Sequence, residues 1–505
     1  MKKVLFITLY DEICYGVRLL SSIVKQCGLE SHLLIFKGET SYVPIWTSKD
    51  EYSTYQYFFN GLLRGSMYAV DPITPHEIKL MLSLIGQIKP DAICLSTRSF
   101  AYEPCSKIFP LIKQEYADIP IVAGGWGPTL EPERFLEFSD YVCFGEGEAA
   151  IRDLCSALLS DTPLTKATNL IYHDTHEIAR NPVAPPISSR EMNLLPFPDF
   201  AVENKYVIHK GKLRYGKEFY NEKVYDCFAA RGCPLNCTYC LSGKYNHLYK
   251  EHSGQFCAKY RLRSIDVVLQ EVSLAKERGA KFIRFKDEVF PISPAWVREF
   301  LLKYKTQIGL PFFAFIRPEF HSPDTIKELK NVGLCVTMVG IQSGSQEIRE
   351  NLYRRQLSAS RIVEFAQTLR EVGVDFSYHL IYRNPFETER HLQEGLDFSS
   401  RLPCADTFIF KLQPFPGTPI YQMIQAENPQ GLPANVHTWY ALLLSMILKG
   451  PRLRKAAIFL RRHGFGRKRP YLLSIPFLPY LLKELAGVIK NRIAYNAKLH
   501  FAPRK

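Results

Sequence analysis

Three cysteines fall close together in the segment RGCPLNCTYC: Cys233, Cys237 and Cys240, spaced CxxxCxxC. Three thiolates on one short loop can converge on one metal centre, and three rather than four leave a position open for an exchangeable ligand. Gly232 and Pro234 shape the segment as a turn rather than a core element, which argues against incidental packing. Zinc is the competing chemistry; it would want a fourth ligand, and His247 and His252 are within range. The chain has 13 cysteines, an odd number, and its N-terminal run MKKVLFITLYDE reads as a first buried strand rather than a secretion signal, so thiols or a metal site in a cytoplasmic protein are expected rather than a disulfide framework. Cys94, Cys143 and Cys335 lie in apolar strand-like runs, where buried free cysteine is common.

The elements that must position this loop follow from periodicity. From Val224 onward, strand patterns at 224–230, 281–287, 312–318, 335–342, 375–382 and 406–413 alternate with helical patterns at 264–278, 293–307, 322–332, 358–372 and 387–401. Six β/α steps are enough for a partial (β/α)6 TIM barrel over 224–419, with functional groups at the C-terminal strand ends. The cysteine loop directly follows the first of these strands. Upstream, strands at 3–10, 31–37, 91–96, 119–123 and 141–144 alternate with helices, which predicts a doubly wound, Rossmann-like domain over 1–160. Residues 161–223 contain NPVAPPISSRE and LPFPDF and read as a proline-rich linker; 420–505 read as a helical, basic C-terminal region. The fold class is therefore α/β.

Of 505 residues, 46% are hydrophobic and 23% charged, which excludes a mainly disordered chain. The net charge of +14 sits entirely in residues 441–505, where 15 Lys and Arg face one acid, Glu484. The rest of the chain is neutral. In the tail, basic clusters alternate with ALLLSMIL, AAIFL and YLLSIPFLPYLL, a texture that fits peripheral contact of a cytoplasmic protein with the inner face of an anionic membrane. Packing of the apolar residues on the barrel, with solvated charges, is the plain alternative. Few aromatics sit among the charges, which disfavours nucleic acid. The apolar run 471–482 holds two prolines and is too short to span a bilayer.

The cysteine loop, its place after the first barrel strand and the length of the barrel resemble the radical S-adenosylmethionine (SAM) superfamily. The resemblance implies a [4Fe-4S] cluster on Cys233, Cys237 and Cys240, with SAM chelating the open iron and cleaved on reduction to methionine and a 5′-deoxyadenosyl radical. It places Tyr239 near the adenine. RFKDEVF (284–290) resembles the strand-end segment that contacts the SAM amino group, which nominates Asp287 and Glu288; AFIRPE places Arg317 at the next strand end. GIQSGSQEIRENLYRR (340–355) resembles the segment near the SAM ribose and nominates Gln342 and Ser343, and IYRNPFET and QPFPGTP match late-barrel segments.

A doubly wound domain ahead of such a barrel resembles the cobalamin-binding branch, whose class B methyltransferases methylate carbon. Such domains often carry DxHxxG after the first strand. Here the frame is Asp11-Glu12-Ile13-Cys14-Tyr15-Gly16, with isoleucine in the histidine's place, so the resemblance implies cobalamin without a histidine lower ligand. Ser96, the pair Gly124 and Gly125, and Gly145 with Glu146 follow successive strands and are the remaining cobalamin candidates; each glycine could equally make a tight βα turn. A methylthiotransferase would need a second cysteine trio, and Cys14, Cys27, Cys94, Cys105, Cys143 and Cys155 form no compact motif. Related chemistries in this branch include cyclisation and oxidative rearrangement, and a non-catalytic cobalamin- or RNA-binding protein is the reading from another class. The expected partners are a small-molecule substrate, of hydrophobic kind if the tail docks at a membrane, and an external one-electron reductant such as flavodoxin or ferredoxin. Cys227, Cys257 and Cys335 are candidates for a radical-quenching or acceptor thiol, although ordinary packing or a surface position is the favoured reading of each, and alternation sends only one of Tyr378 and His379 toward the barrel interior.

Overall fold

The structure is a computed structural model that describes residues 1–11, 13–37, 43–44, 55–59, 63–67, 73–98, 101–175, 177–216, 223–254, 260–468 and 470. Its strands are β1 (Lys3–Leu9), β2 (Glu30–Phe36), β3 (Val43–Pro44), β4 (Tyr55–Phe59), β5 (Leu63–Met67), β6 (Ala92–Ser96), β7 (Ile121–Gly124), β8 (Tyr141–Cys143), β9 (Leu170–Asp174) and β10 (Glu177–Arg180). They continue with β11 (Lys205–His209), β12 (Lys212–Tyr215), β13 (Val224–Cys227), β14 (Ala230–Arg231), β15 (Arg261–Leu262), β16 (Phe282–Phe285), β17 (Phe312–Ala314), β18 (Leu334–Gln342), β19 (Asp375–Tyr382) and β20 (Asp406–Lys411).

One nine-stranded sheet runs β10-β9-β8-β7-β6-β1-β2-β11-β12. Its centre is parallel and buried on both faces: β1 pairs in parallel with β2 and β6, β6 with β7, and β7 with β8. Val4, Phe6 and Leu33 pack on one side, Leu5, Ile7 and Ile93 on the other, which is why these strands read as continuous apolar runs. The stretch 161–223, expected to be a linker, instead supplies four strands at the two edges of this sheet. They are short, and the β11–β12 hairpin turns through Lys210 and Gly211, both at positive φ (52° and 69°), the conformation a two-residue hairpin requires. Strands of four or five residues leave too little alternation to detect from sequence.

In the second sheet, β13-β16-β17-β18-β19-β20 are parallel throughout, the six strands expected of a partial barrel. Helices Ile265–Glu277, Pro294–Gln307, Pro323–Val332, Ala359–Glu371 and Glu389–Ser399 connect them. Beyond β20 the sheet continues with β4-β5-β3, contributed by residues 43–67, and β4 runs antiparallel to β20. Strand β4, which lies in sequence between β2 and helix Pro75–Ile88, thus covers the open edge of the barrel, the position where an unpaired strand would otherwise be exposed. After the barrel come helices Pro419–Glu427, Ala434–Lys449 and Pro451–His463; Ala434–Lys449 is buried along most of its length and packs on β20. The apolar run 471–482 lies outside the described residues.

Candidate functional site between two sheets

The C-terminal strand ends of the two sheets face one another across a cavity of about 530 Å³. From the first sheet it is lined by Asp11 and Ile13 after β1, Ser96 at the end of β6, Gly124 and Gly125 after β7, and Gly145 and Glu146 after β8. From the barrel it is lined by Asp226, Arg231, Gly232, Lys286 and Glu288. All six residues nominated for cobalamin therefore meet at one wall.

Beyond Ser96, which lines the cavity, the other five do different jobs. Asp11 accepts a hydrogen bond from the Cys14 N–H (2.8 Å), so its carboxylate shapes the turn into helix Tyr15–Gln26. Gly125 has φ 98°, and a Cβ there would stand 2.6 Å from the Thr97 carbonyl oxygen, so the backbone demands glycine. Gly145 has φ 74°, and a Cβ would run into the Tyr249 hydroxyl. Gly124 is unlike both: a Cβ would find only ordinary contacts, the nearest 3.7 Å away, so the protein itself does not require its bareness. A cradle that a side chain would fill, without a protein reason to keep it bare, fits a bound ligand. Glu146 is held by the protein, with Arg261 bidentate (2.8 and 3.0 Å) and the Ile187 N–H at 2.8 Å. Ile13 presents an apolar side chain to the cavity, and among the described residues no histidine lines it. Cys14 and Cys143 line it too, but burial pushes each thiol up to about 12, so they are neutral there.

The barrel wall carries the cysteine loop. Cys233 and Cys237 are buried, Cys240 half-buried. Burial pushes Cys233 up to about 11 and raises Cys237 as well; the neighbouring thiols push the same way, so the three sense one another. Arg317 pulls Cys233 down and Arg355 pulls Cys237 down, cations placed to favour thiolates. No three His, Cys, Asp or Glu among the described residues converge on a single-ion position. His247 is exposed and His252 is stacked on Phe144 at 4.3 Å, its Nδ1 on the Leu248 carbonyl at 3.0 Å; neither completes a zinc site. A donor set of three thiols set apart beside cations suits a cluster, which separates its own ligands, better than one small ion.

The remaining nominees split. Asp287 is buried, one oxygen accepting from the Ala230 N–H at 2.6 Å, the other without a partner. It thereby fixes the start of the cysteine loop, and burial holds its carboxyl well above the usual carboxylate range. Glu288 faces the cavity, and its backbone carbonyl accepts from Arg317 at 3.2 Å. Tyr239 packs edge-on against Tyr353, ring centroids 4.8 Å apart. Gln342 ends β18 at φ 68°, a rare conformation for a side chain other than glycine. Ser343 donates to Glu387 (3.1 Å), whose second oxygen is buried without a partner and whose carboxyl is pushed up by burial to about 8. Glu319 likewise keeps one buried oxygen unpartnered. Buried carboxyl oxygens without a partner follow β16, β17 and β19, and such groups would find hydrogen-bond partners in the ammonium and hydroxyl groups of SAM. Tyr378 packs in the sheet–helix core with its hydroxyl on the Pro403 carbonyl (3.0 Å), so alternation places His379 on the inner face, between Phe408 and Phe410. Cys227 is fully buried, Cys335 half-buried with its Sγ on the Phe312 carbonyl, and Cys257 lies outside the described residues.

Sequence reasoning missed Arg355. It is fully buried, its Nε on Glu319 (3.0 Å) and its Nη1 on the Gly340 carbonyl (2.7 Å), and it faces Cys237 and Tyr239. It also missed an inter-sheet clamp: β14 and β15 form a ribbon that pairs Arg231 with Arg261, and these two hold Glu148 and Glu146 of the facing domain.

Two family descriptions match the chain: the Radical SAM superfamily over residues 228–399 and the B12 binding domain over residues 61–155. The chain joins a B12-binding domain to a radical SAM domain. An uncharacterised methyltransferase of Pyrococcus horikoshii is 23% identical over 350 residues, covering 68% of this chain and 72% of that protein. The cobalamin-dependent radical SAM methyltransferase TokK of Streptomyces tokunonensis is 22% identical over 326 residues, covering 62% of this chain but only 45% of TokK. In fold, the radical SAM methyltransferase TsrM of Kitasatospora setae, with cobalamin and a [4Fe-4S] cluster bound, superposes with a TM-score of 0.61 at 15% identity, covering 85% of this chain and 78% of TsrM. The B12-binding and radical SAM domains identify the cobalamin, [4Fe-4S] and SAM cofactors of this α/β protein.

Proposed function

We propose that the protein is a cobalamin-dependent radical SAM enzyme that methylates an unactivated carbon of a small hydrophobic molecule. The carrying observation is the single cavity lined by the strand ends of both domains, with Gly232, next to Cys233, in its wall. Bound there, the cluster with SAM supplies an organic radical and the cobalamin a transferable methyl group. Cys233, Cys237 and Cys240 would hold the cluster; the bare floor at Gly124 and Gly125 would seat the cobalamin. Arg317 and Arg355 stabilise negative charge at the cysteine loop. Asp287, through the Ala230 N–H, holds the loop in place. The paired domains exclude water from between the reacting groups, and His379, Phe408 and Phe410 give the barrel interior an aromatic wall suited to an apolar substrate.

An external one-electron donor such as flavodoxin or ferredoxin would serve as reductant, and the enzyme would work at the inner face of a membrane. The test is turnover of anaerobically reconstituted protein with trideuteromethyl-labelled SAM and candidate substrates drawn from its gene neighbourhood. A product carrying the intact label is expected. A product that is cyclised or oxidised but unlabelled would overturn the methylation reading in favour of a rearrangement.

A further inference from the structure

We infer that the outward face of helix Pro451–His463, with the turn that follows it, is a docking surface for an anionic phospholipid bilayer. This deepens the membrane location proposed above and does not depend on the reaction. The inward face is fastened to the barrel: Leu453, Ala456, Ala457 and Leu460 pack with Trp439 and Leu443, Arg461 pairs with Asp397, and Arg467 pairs with Glu389. The outward face is different. Arg452, Lys455 and Arg462 recur at helical spacing along one stripe, and Lys468 follows; all four are exposed, and none has an ion-pair partner among the described residues. Residues 451–468 contain no Asp or Glu.

Set among these cations are Ile458, Phe459 and Phe465, exposed by 52%, 55% and 58%. The two phenylalanine rings stack on each other at 6.3 Å, and His463 lies against Phe459 at 4.5 Å. Water does not reward a stacked aromatic pair held in the open beside unpaired cations; a bilayer surface accepts both, rings at the acyl boundary and cations at anionic headgroups. No helix among the described residues is long and apolar enough to cross a membrane, so the contact is peripheral. Arg467 fastens this end of the helix to Glu389, the first residue after the loop from β19, so the aromatic pair stands toward the barrel mouth, where a lipid-soluble substrate would enter.

The experiment is co-sedimentation of the full chain with equimolar phosphatidylcholine–phosphatidylglycerol vesicles and with phosphatidylcholine alone. Salt-sensitive binding to the mixed vesicles is expected. The double variant Phe459→Ser/Phe465→Ser should weaken it by about tenfold or more, and Arg462→Ala by about fivefold. Wild-type protein that binds neither vesicle would overturn both this surface and the membrane location. Equal binding by wild type and the double variant would overturn the surface alone. Equal binding to both vesicles would overturn the anionic specificity. If the patch is instead the seat of the chain's own segment 471–482, the double variant melts lower and binds vesicles unchanged, which also overturns the proposal.

Discussion

At the scale of single residues, three glycines on one cavity wall are glycine for different reasons, and the difference is measurable. Gly145 gives way to no Cβ because of the Tyr249 hydroxyl, so Gly145→Ala should destabilise the fold by about 1–3 kcal/mol. Gly124 has room for a Cβ on the protein side, so Gly124→Ala should leave the melting temperature nearly unchanged while weakening cobalamin binding, read by spectrophotometric titration. Unaltered cobalamin affinity in that variant would mean the ligand sits elsewhere. Arg355 makes the opposite case, a residue whose removal is felt at once. Truncating it strands the Glu319 carboxylate in a buried site, and loss of a buried partner costs about 3–5 kcal/mol. Arg355→Ala should therefore lower the urea midpoint strongly, and the cysteine loop, deprived of a neighbouring cation, should take up iron and sulfide poorly on reconstitution. The cysteines and glycines were legible in sequence because their signal is local spacing. Arg355 was not, because its meaning lies in Glu319, 36 positions away and on another loop.

At the scale of elements, the ribbon β14–β15 is the physical link between the cysteine loop and the cobalamin-side loop. Arg231 stands two residues before Cys233, and its partner Glu148 opens helix Glu148–Ser160 of the facing domain. Burial alone would raise the Glu146 carboxyl, but Arg231 and Arg261 hold it below its usual value. Arg261→Ala and Glu146→Gln should each destabilise, and the double variant should cost clearly less than their sum, because the second change removes the orphaned charge left by the first. Additivity in denaturant titrations would show the clamp to be incidental. The stretch expected to be a linker holds a second such device. Asp199 is buried against Ser21, Lys25 and Lys205 at 2.7–2.8 Å. Burial works against its ionisation, yet these partners bring the carboxyl down to about 2. A depressed folded-state value means the contribution is fully present above about pH 4 and is lost as pH falls toward 2. Wild type should lose on the order of 2 kcal/mol across that window, and Asp199→Asn should flatten this part of the stability profile. Strands β9 to β12 escaped sequence reading for the reason that makes Asp199 necessary: they are short, lie at sheet edges and are secured by particular side chains rather than by a long apolar period.

At the scale of the whole molecule, the six-stranded barrel and the parallel sheet ahead of it were readable because alternation of apolar strands with amphipathic helices repeats over some 200 residues of barrel. Strands β3, β4 and β5, which extend the barrel sheet, carry no such repeat; their place is visible only in the pairing of β4 with β20. The pairing of β4 with β20 and the arginine clamp, whose four side chains line the shared cavity, tie the two sheets together. A ligand bound in the cavity touches both, so its binding energy is lost whichever domain unfolds. Mass action then raises the stability of each by about 2.7 kcal/mol at a hundredfold excess of cobalamin over its dissociation constant. Calorimetry of the reconstituted protein should show barrel and B12-binding domain moving to higher temperature together when cobalamin is added. A shift confined to one transition would mean that cobalamin is held by one domain alone and that the facing strand ends do not form a single reaction chamber.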